Sequence, residues 1–368
     1  MIRCMHIALT DIPQDWDKTQ IKKIATKICA GGKLKLTKSD YLSKGIPAYS
    51  AAGQDGYVHE AEFSSLGVIV SAIGARCGKS FYATGKWTTL ANTQVILANE
   101  SKCLNRFLWY LINDEQYWHR SGTAQPFIKP SDIQNAWIPL PPLYEQKSIV
   151  QLLDASYRPV EHHTKIVHHL QEMYQGLLQR LVSGQLFKRR GEKFFLKDLA
   201  KVAMGETIIK KDLTQDGIPV FSANTGSEPW GYTSQNKKTY TRGTIVLGAR
   251  GSIGFPRFPK FEQFTSTQTT ISITPNNDCV LPAYLYLYLQ TINYKLLTTV
   301  QAVPMLTVAD MLDVNIYVPS IEEQKSVMAL FLALQKKIDL HRTLREKQDL
   351  VHEGLKKEVL YGKKRISL

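Results

Sequence analysis

The sequence predicts a mixed α/β protein in which two related α/β globules alternate with two long helices that pair antiparallel as a coiled coil. Three observations carry this. Residues 143–181 (LYEQKSIVQLLDASYRPVEHHTKIVHHLQEMYQGLLQRL) align without a gap onto residues 321–359 (IEEQKSVMALFLALQKKIDLHRTLREKQDLVHEGLKKEV) at an offset of 178, so that Glu145 falls on Glu323, Gln146 on Gln324 and Leu177 on Leu355. Each segment follows a proline-rich stop, Pro139-Leu140-Pro141-Pro142 in one case and Val318-Pro319 in the other. The block before each segment replays the other, and an internal repeat of this length decides the architecture. The boundaries read as 1–142, 143–184, 185–320 and 321–368: globule, helix, globule, helix.

In the first globule, Ile21, Ile24, Ala25 and Ile28 stand at helical spacing and predict a helix over 18–29, stopped by Gly31-Gly32. The β-branched run at 66–73 predicts a strand, followed by the turn Gly74-Ala75-Arg76-Cys77-Gly78-Lys79. Further strands are expected at 81–83 and 94–97, and a helix at 105–118. The second globule repeats the order. Residues 195–204 stand for the opening helix, Gly217-Ile218-Pro219-Val220-Phe221-Ser222-Ala223 repeats Gly45-Ile46-Pro47-Ala48-Tyr49-Ser50-Ala51, and Ile245-Val246-Leu247-Gly248-Ala249-Arg250 repeats the strand and turn.

At about 1.5 Å per residue each long helix spans about 60 Å. A 4-3 apolar spacing runs through Ile149, Leu153, Val167, Leu170 and Leu177 in the first, and through Phe331, Leu334, Ile338 and Leu355 in the second. Such a seam needs a helical partner, and the other long segment is the obvious one. Pro159 should kink or break the first helix. His163 and His341 share a heptad position near the helix centres, where antiparallel pairing would bring them together as a polar layer that sets register and weakens on acidification.

The formal net charge is +14, and each globular block carries +5 of it, with 16 Lys/Arg against 11 Asp/Glu in 1–142 and 15 against 10 in 184–320. Two separate basic globules suggest two polyanion-binding surfaces, nucleic acid foremost. Five scattered cysteines with no CxxC argue against a disulfide framework or a zinc cluster and fit a cytoplasmic protein. No stretch is long and apolar enough for a signal peptide or a membrane span.

Catalytic motifs fail on inspection. Gly74 to Lys79 has three residues between its first glycine and the Gly-Lys pair where a phosphate-binding loop needs four, and a strand follows it in place of a helix. No methyltransferase Asn/Asp-Pro-Pro-aromatic loop occurs, and the histidines at 162, 163, 168 and 169 lack the partners of a metal site. No cofactor, metal or catalytic residue is expected. Base reading needs Arg or Lys toward guanine and Asn or Gln toward adenine. The candidates are Lys33, Lys35, Gln54, Arg76, Lys79, Asn92 and Gln94 in the first globule. In the second they are Lys210, Lys211, Asn224, Asn236, Lys237, Lys238, Arg242, Arg250 and Arg257.

Taken in order, PLPPLYEQKSIVQLLD, GLLQRLVSG, VPSIEEQK, GIPAYSA, IGARCGKSFYA and TAQPFIKPSDI resemble the specificity (S) subunit of type I restriction-modification enzymes, over nearly the whole chain. The resemblance implies two target-recognition domains, each reading one half of a bipartite DNA target. It implies that the helices separate the half-sites and dock two methyltransferase (M) subunits, which carry S-adenosylmethionine. The ATP-driven restriction (R) subunits join through the complex, and the specificity subunit itself is non-catalytic. The alternative is a coiled-coil scaffold whose basic globules bind protein or RNA.

Overall fold

Two units interleave along the chain: residues Met1–His163 with Leu344–Leu368, and residues Thr164–Thr343. The computed structural model describes residues 12–118, 120–122, 125–187, 192–224, 226–234, 237–276, 278–298 and 304–366. In the first unit the order is β1 (Asp17–Gln20), α1 (Ile21–Ile24), β2 (Ala25–Ala30), β3 (Ile46–Ser50), β4 (Gly53–Val58) and β5 (Phe63–Ser64). It continues with β6 (Gly67–Ser71), β7 (Ser80–Ala83), β8 (Lys86–Thr89), β9 (Thr93–Ala98), α2 (Asn105–Ile112), α3 (Pro130–Asn135), β10 (Trp137–Leu140) and the start of α4 (Leu143–Val182). One four-stranded sheet has the order β2-β9-β6-β7 and a second β4-β3-β8-β5, while β1 pairs with β10. The second unit holds β11 (Glu192–Phe195), α5 (Leu196–Leu199), β12 (Ala200–Met204), β13 (Ile218–Phe221), β14 (Gly231–Thr233), β15 (Tyr240–Thr241) and β16 (Ile245–Gly248). Then come β17 (Pro256–Arg257), β18 (Gln263–Ser266), β19 (Thr270–Pro275), α6 (Pro282–Leu289), α7 (Val308–Leu312), β20 (Asn315–Val318) and the start of α8 (Ile321–Val359). Its sheets run β12-β19-β16-β17, β14-β13-β18-β15 and β11-β20. Strand for strand the two units are the same, down to the parallel pair β3·β8 matched by β13·β18.

Three local expectations give way. The helix predicted over 18–29 is a single turn, α1, between two strands, and the same holds at 195–204. Ile21 and Ile24 do share a buried helical face. Thr19, Thr26 and Ile28 instead suit strands, and those strands complete ladders with β10 and β9. Ladder pairing on both sides satisfies more backbone than a short isolated helix would. The helix expected to reach 118 ends at Ile112, where Asn113 accepts from the Ser80 amide and Asp114 caps a new 3-10 turn at Glu115–Tyr117. At Pro159 the expected break does not occur, because α4 is one helix through it. The carbonyl that loses its donor is that of Ala155, an exposed residue, so water can take the place of the missing N–H.

Each unit builds its core between the β2-β9-β6-β7 type of sheet, one short helix and the two long helices. In unit 1, Val68, Val70 and Ile96 meet Phe107, Leu108 and Leu111 of α2, with Ile149 and Leu153 of α4 and Val359 of α8 in the same cluster. In unit 2, Leu247, Ile271 and Ile273 meet Tyr284, Leu285 and Leu289 of α6, with Leu178 and Leu181 of α4 and Val327 and Phe331 of α8. Burying each such side chain contributes about 1.5–3 kcal/mol.

The repeated Glu-Gln of the long segments makes the joint. Gln146 is fully buried; its Nε2 donates to the carbonyls of Pro141 (2.8 Å) and Lys102 (3.0 Å), and its Oε1 accepts from the Leu104 amide (2.9 Å). Gln324 repeats this on Pro319 (3.0 Å), Cys279 (3.3 Å) and Leu281 (2.8 Å). Replacing Gln146 with Leu strands three backbone groups, one buried and two part-buried, at a cost of about 1–3 kcal/mol for each that water cannot reach. Gln146→Leu is therefore expected to destabilise unit 1 by about 3 kcal/mol or more, and Gln324→Leu unit 2 by a similar amount. Urea unfolding followed by proteolysis of each unit measures both.

Candidate nucleic-acid interface

In unit 1, four loops meet at one edge of the sheets. Hydrogen bonds tie them: the Gly31 amide to the Thr93 carbonyl, the Ala72 amide to Asn92, the Leu90 amide to Tyr49, and the Arg76 guanidinium to the Ala52 carbonyl at 3.0 Å. These loops carry Lys33, Lys35, Arg76, Lys79 and Asn92, and the start of β4 beside them carries Gln54, all exposed. Lys35 and Asn92 hold positive φ, 52° and 66°, the left-handed backbone of tight turns. At the start of β4, beside the β3–β4 turn, Gln54 is held in place by its neighbour Asp55. Its carboxylate accepts from Tyr41 (2.5 Å) and Ser50 (2.8 Å) and pairs with Lys38 (2.8 Å). Partial burial would raise the Asp55 pKa, but the hydrogen bonds from Lys38, Tyr41 and Ser50 outweigh it and hold the carboxyl below the usual range. Gln94 differs from its neighbours: it is 7% exposed on β9 in the middle of a sheet, turned away from solvent. The Gly74–Lys79 turn closes on its own backbone, Cys77 to Gly74 and Lys79 to Arg76, and leads into strand β7.

Unit 2 forms the same cluster. The Glu206 amide bonds Ser266, the Ile208 amide bonds the Gln268 side chain, the Thr267 amide bonds Phe221, and the Ala249 amide bonds Thr269. Lys210, Lys211 and Arg250 are exposed on these loops and Asn224 is half-buried. Arg250 donates Nε to the sulfur of Met305. Arg257 is only 7% exposed, facing inward from β17. Lys237, Lys238 and Arg242 sit elsewhere, around edge strand β15. Lys238 stands over the Tyr240 ring and Arg242 pairs with Glu262 at 3.0 Å. Asn236 lies outside the described residues. Among the described residues no group of three or more His, Cys, Asp or Glu side chains could hold a metal, and burial pushes the Cys103 thiol up to about 12, far from a nucleophile's range.

The duplicated units have counterparts in known proteins. The sequence profile of the Type I restriction modification DNA specificity domain matches twice, over residues 13–172 and 190–348. The chain belongs to the type I restriction-modification specificity family. A specificity subunit's role in such a system is DNA recognition. A Methanocaldococcus jannaschii protein described as the MjaX type I restriction enzyme specificity subunit is 22% identical over 97% of this chain and 95% of its own length. A Haemophilus influenzae type I specificity subunit is 27% identical over 78% of this chain and 80% of its own. The crystal structure of a type I S subunit from M. genitalium superposes with a TM-score of 0.66 at 17% identity, covering 98% of this chain and 99% of that one, and so shares the fold.

Within the specificity subunit the long helices meet inside each unit. In unit 1, Ile149 and Leu153 share a cluster with Leu355 and Val359. In unit 2, Val167, Leu170 and Leu177 pack on Leu334 and Ile338, and Tyr174 meets Phe331 edge-on at 5.0 Å. The order of contacts is antiparallel in both. Of the two central histidines, His163 falls in the first unit and His341 in the second, each half-buried.

The buried histidine is another one. His352 is 3% exposed, its Nδ1 lies 2.8 Å from the Ser156 hydroxyl, and Tyr157 and Tyr110 flank its ring. It occupies a seam position of the heptad, but nothing in the spacing separates it from His341; only the packing does. Burial, reinforced by Lys356, holds its pKa below the ordinary histidine value, against the pull of Glu353, Asp349 and Asp154. The unfolded chain therefore takes up a proton at a higher pH than the native one. Stability conferred by neutral His352 is present above about pH 6.5, declines as pH falls through that value, and stops declining below the folded pKa. His352→Gln is expected to flatten the melting temperature of unit 1 between about pH 7.5 and 5.5 relative to the wild type. Thermal melts across that range measure it, with His163→Leu/His341→Leu as the comparison for the central pair.

Proposed function

We propose that each unit reads one half of a bipartite DNA target through its loop cluster, that α4 and α8 set the spacing of the half-sites, and that the chain has no catalysis of its own. The observation that carries this is the duplicated cluster: two copies of one fold, each with exposed cationic side chains at matching places, joined by the exposed Gln54 and Asn92 in unit 1 and by the half-buried Asn224 in unit 2. The lysines 33, 35, 210 and 211 suit phosphate contacts, which position a duplex without reading it. Gln54, Asn92 and Asn224 have the amides that base edges require. Both long helices contribute to both units, and this supports a spacer whose length is set by continuous helix.

The helices also offer a surface to partners. Leu330, Leu332 and Leu340 in unit 2 and Leu350 and Val351 in unit 1 are large apolar side chains left exposed on α8, with Leu350 at 75%. On this reading they dock the methyltransferase subunits that supply S-adenosylmethionine chemistry, and restriction subunits join through that complex. A second solved structure of the same fold, with a TM-score of 0.58 at 17% identity over 96% of this chain, is described in terms of complex assembly of the type I R-M system, which favours such docking.

Selection from random gapped duplexes, with the methyltransferase subunits present, is expected to return two short consensus blocks separated by a fixed gap. A pool without a gapped consensus would favour a scaffold that binds protein or RNA. With about six or more phosphate contacts, affinity should fall about 10³-fold or more between 50 and 200 mM salt, measured by filter binding. Leu350→Lys/Val351→Lys is expected to keep the melting temperature but abolish co-purification with the methyltransferase.

A further inference from the structure

Arg257 is a buried cation held without a carboxylate. One guanidinium nitrogen donates to the Asn224 Oδ1 at 2.5 Å, another to the Ser222 carbonyl, and the Nε has no partner among the described residues. The group lies 5.2 Å over the Phe221 ring, and burial lowers its pKa to about 10, which leaves it charged at neutral pH. A buried charge that rests on neutral acceptors is costly, so folding alone does not account for it.

The repeat makes this point independently. Val246 pairs with Arg257 on one side and Ser272 on the other; in unit 1 the matching Ile69 pairs with Phe81 and Val95. Arg257 thus stands where the first unit has Phe81, whose ring packs against Gly53 and the small core of Ile69, Trp87 and Val95. The frame accepts a phenyl ring here. In unit 1 the matching loop is held differently, by Arg76 on the Ala52 carbonyl. Each unit clamps the loop after its Gly-Ile-Pro strand with one arginine, and only in unit 2 does the clamp take hold of a side chain.

That grip has a chemical consequence. A guanidinium donates and cannot accept, so the Asn224 amide must turn its oxygen inward. The Nδ2 then lies on the other side of the amide, 4.0 Å from the place a Cβ on the exposed Gly226 would occupy, and has no partner among the described residues. An asparagine free to use both atoms reads adenine by accepting from N6 and donating to N7. With its oxygen turned inward on Arg257, Asn224 offers its N–H groups outward, as a donor.

We propose that Arg257 is a positioning residue that locks Asn224 as a hydrogen-bond donor, so that Asn224 reads an acceptor edge, guanine N7 and O6, in the half-site of unit 2. This rests on the DNA reading above and adds the base class and the group that enforces it. The lysines and Arg250 on the same loops supply the phosphate contacts that bring the amide to the groove.

The test is target selection with the full chain and its methyltransferase subunits, for wild type, Asn224→Ala and Arg257→Phe, with thermal melts of each. Arg257→Phe installs the residue that fills this place in unit 1. The expected result is that Arg257→Phe melts like the wild type and Asn224→Ala stays folded, and that both keep the first consensus block and lose roughly tenfold or more discrimination at one and the same guanine of the second block. Retention of the full consensus by Arg257→Phe, relaxation at different positions in the two variants, or a wild-type adenine at the position that Asn224→Ala relaxes would each overturn the proposal while leaving bipartite recognition intact. A wild type that selects no gapped consensus would overturn both. Should Arg257→Phe melt early, Arg257→Lys serves in its place: a lysine that keeps the charge but cannot span both acceptors should relax the same guanine, and full retention by it overturns the proposal.

Discussion

A glutamine with no exposed surface joins each long helix to its globule, and the remaining architecture depends on that joint. The strand before each helix ends in prolines, which lack the N–H that would continue a ladder and leave carbonyls to be satisfied. Gln146 and Gln324 supply donors to those carbonyls and, in the same side chain, an acceptor for the backbone N–H that precedes the short core helix. Because one buried side chain holds all three backbone groups, the helix cannot swing without breaking the three bonds together. A leucine would pack there equally well but would leave three backbone groups unpaired. A rigid joint is also the condition for any helix to hold a reading surface at a set spacing, so the stability argument and the functional one meet at this residue.

Each unit is closed by the chain that leaves a long helix. In unit 1 Arg365, beyond α8, bonds the buried Glu145 at 2.7 Å and chelates Asp15, while Trp16 donates to the same Glu145. The Asp15 carboxyl is held low by its hydrogen bond to Arg365. In unit 2 the residue at the matching offset is Phe187, beyond α4, and it stacks on Tyr317 at 5.2 Å. One joint is ionic, the other aromatic, on the same backbone plan. The polar version asks for both oxygens of Glu145 to be matched, and they are; a buried carboxylate without Arg365 would cost far more than the aromatic joint does.

Much of this was legible in the sequence, and the reasons differ by element. The long helices stood out because an ungapped self-match and a 4-3 apolar spacing are periodic signals that survive divergence. Strands β6, β7 and β9 were legible from β-branched runs. The opening segment misled, because Ile21 and Ile24 sit one helical turn apart whether the turn continues or not, and only pairing partners far along the chain decide that it stops. The break expected at Pro159 misled for the opposite reason: the rule about lost hydrogen bonds says nothing of whether the helix continues past an exposed residue four places back. Most candidate readers fell on the loop clusters because signature turns lie between strands. Gln94 and Arg257 did not, since residue type carries no information on which face of a strand is buried, and Lys237, Lys238 and Arg242 fell around edge strand β15 instead. His352 and Arg365 were unreadable, as their partners are distant in sequence.

Arg257 shows why counting charges locates a basic globule but not its reading groups. The +5 excess of the second block includes a guanidinium that solvent barely touches and another, Arg242, neutralised by Glu262. What distinguishes a group that organises a surface from one that forms it is the direction of its hydrogen bonds. Arg76 and Arg257 direct theirs inward, on loop carbonyls and an amide oxygen, so the loops they hold can present other side chains in fixed orientations. The repeated joints are built on backbone acceptors and tolerate little change. The clamps differ between the two units within one frame, and this is how a duplicated fold can keep its geometry while its two surfaces come to differ in chemistry.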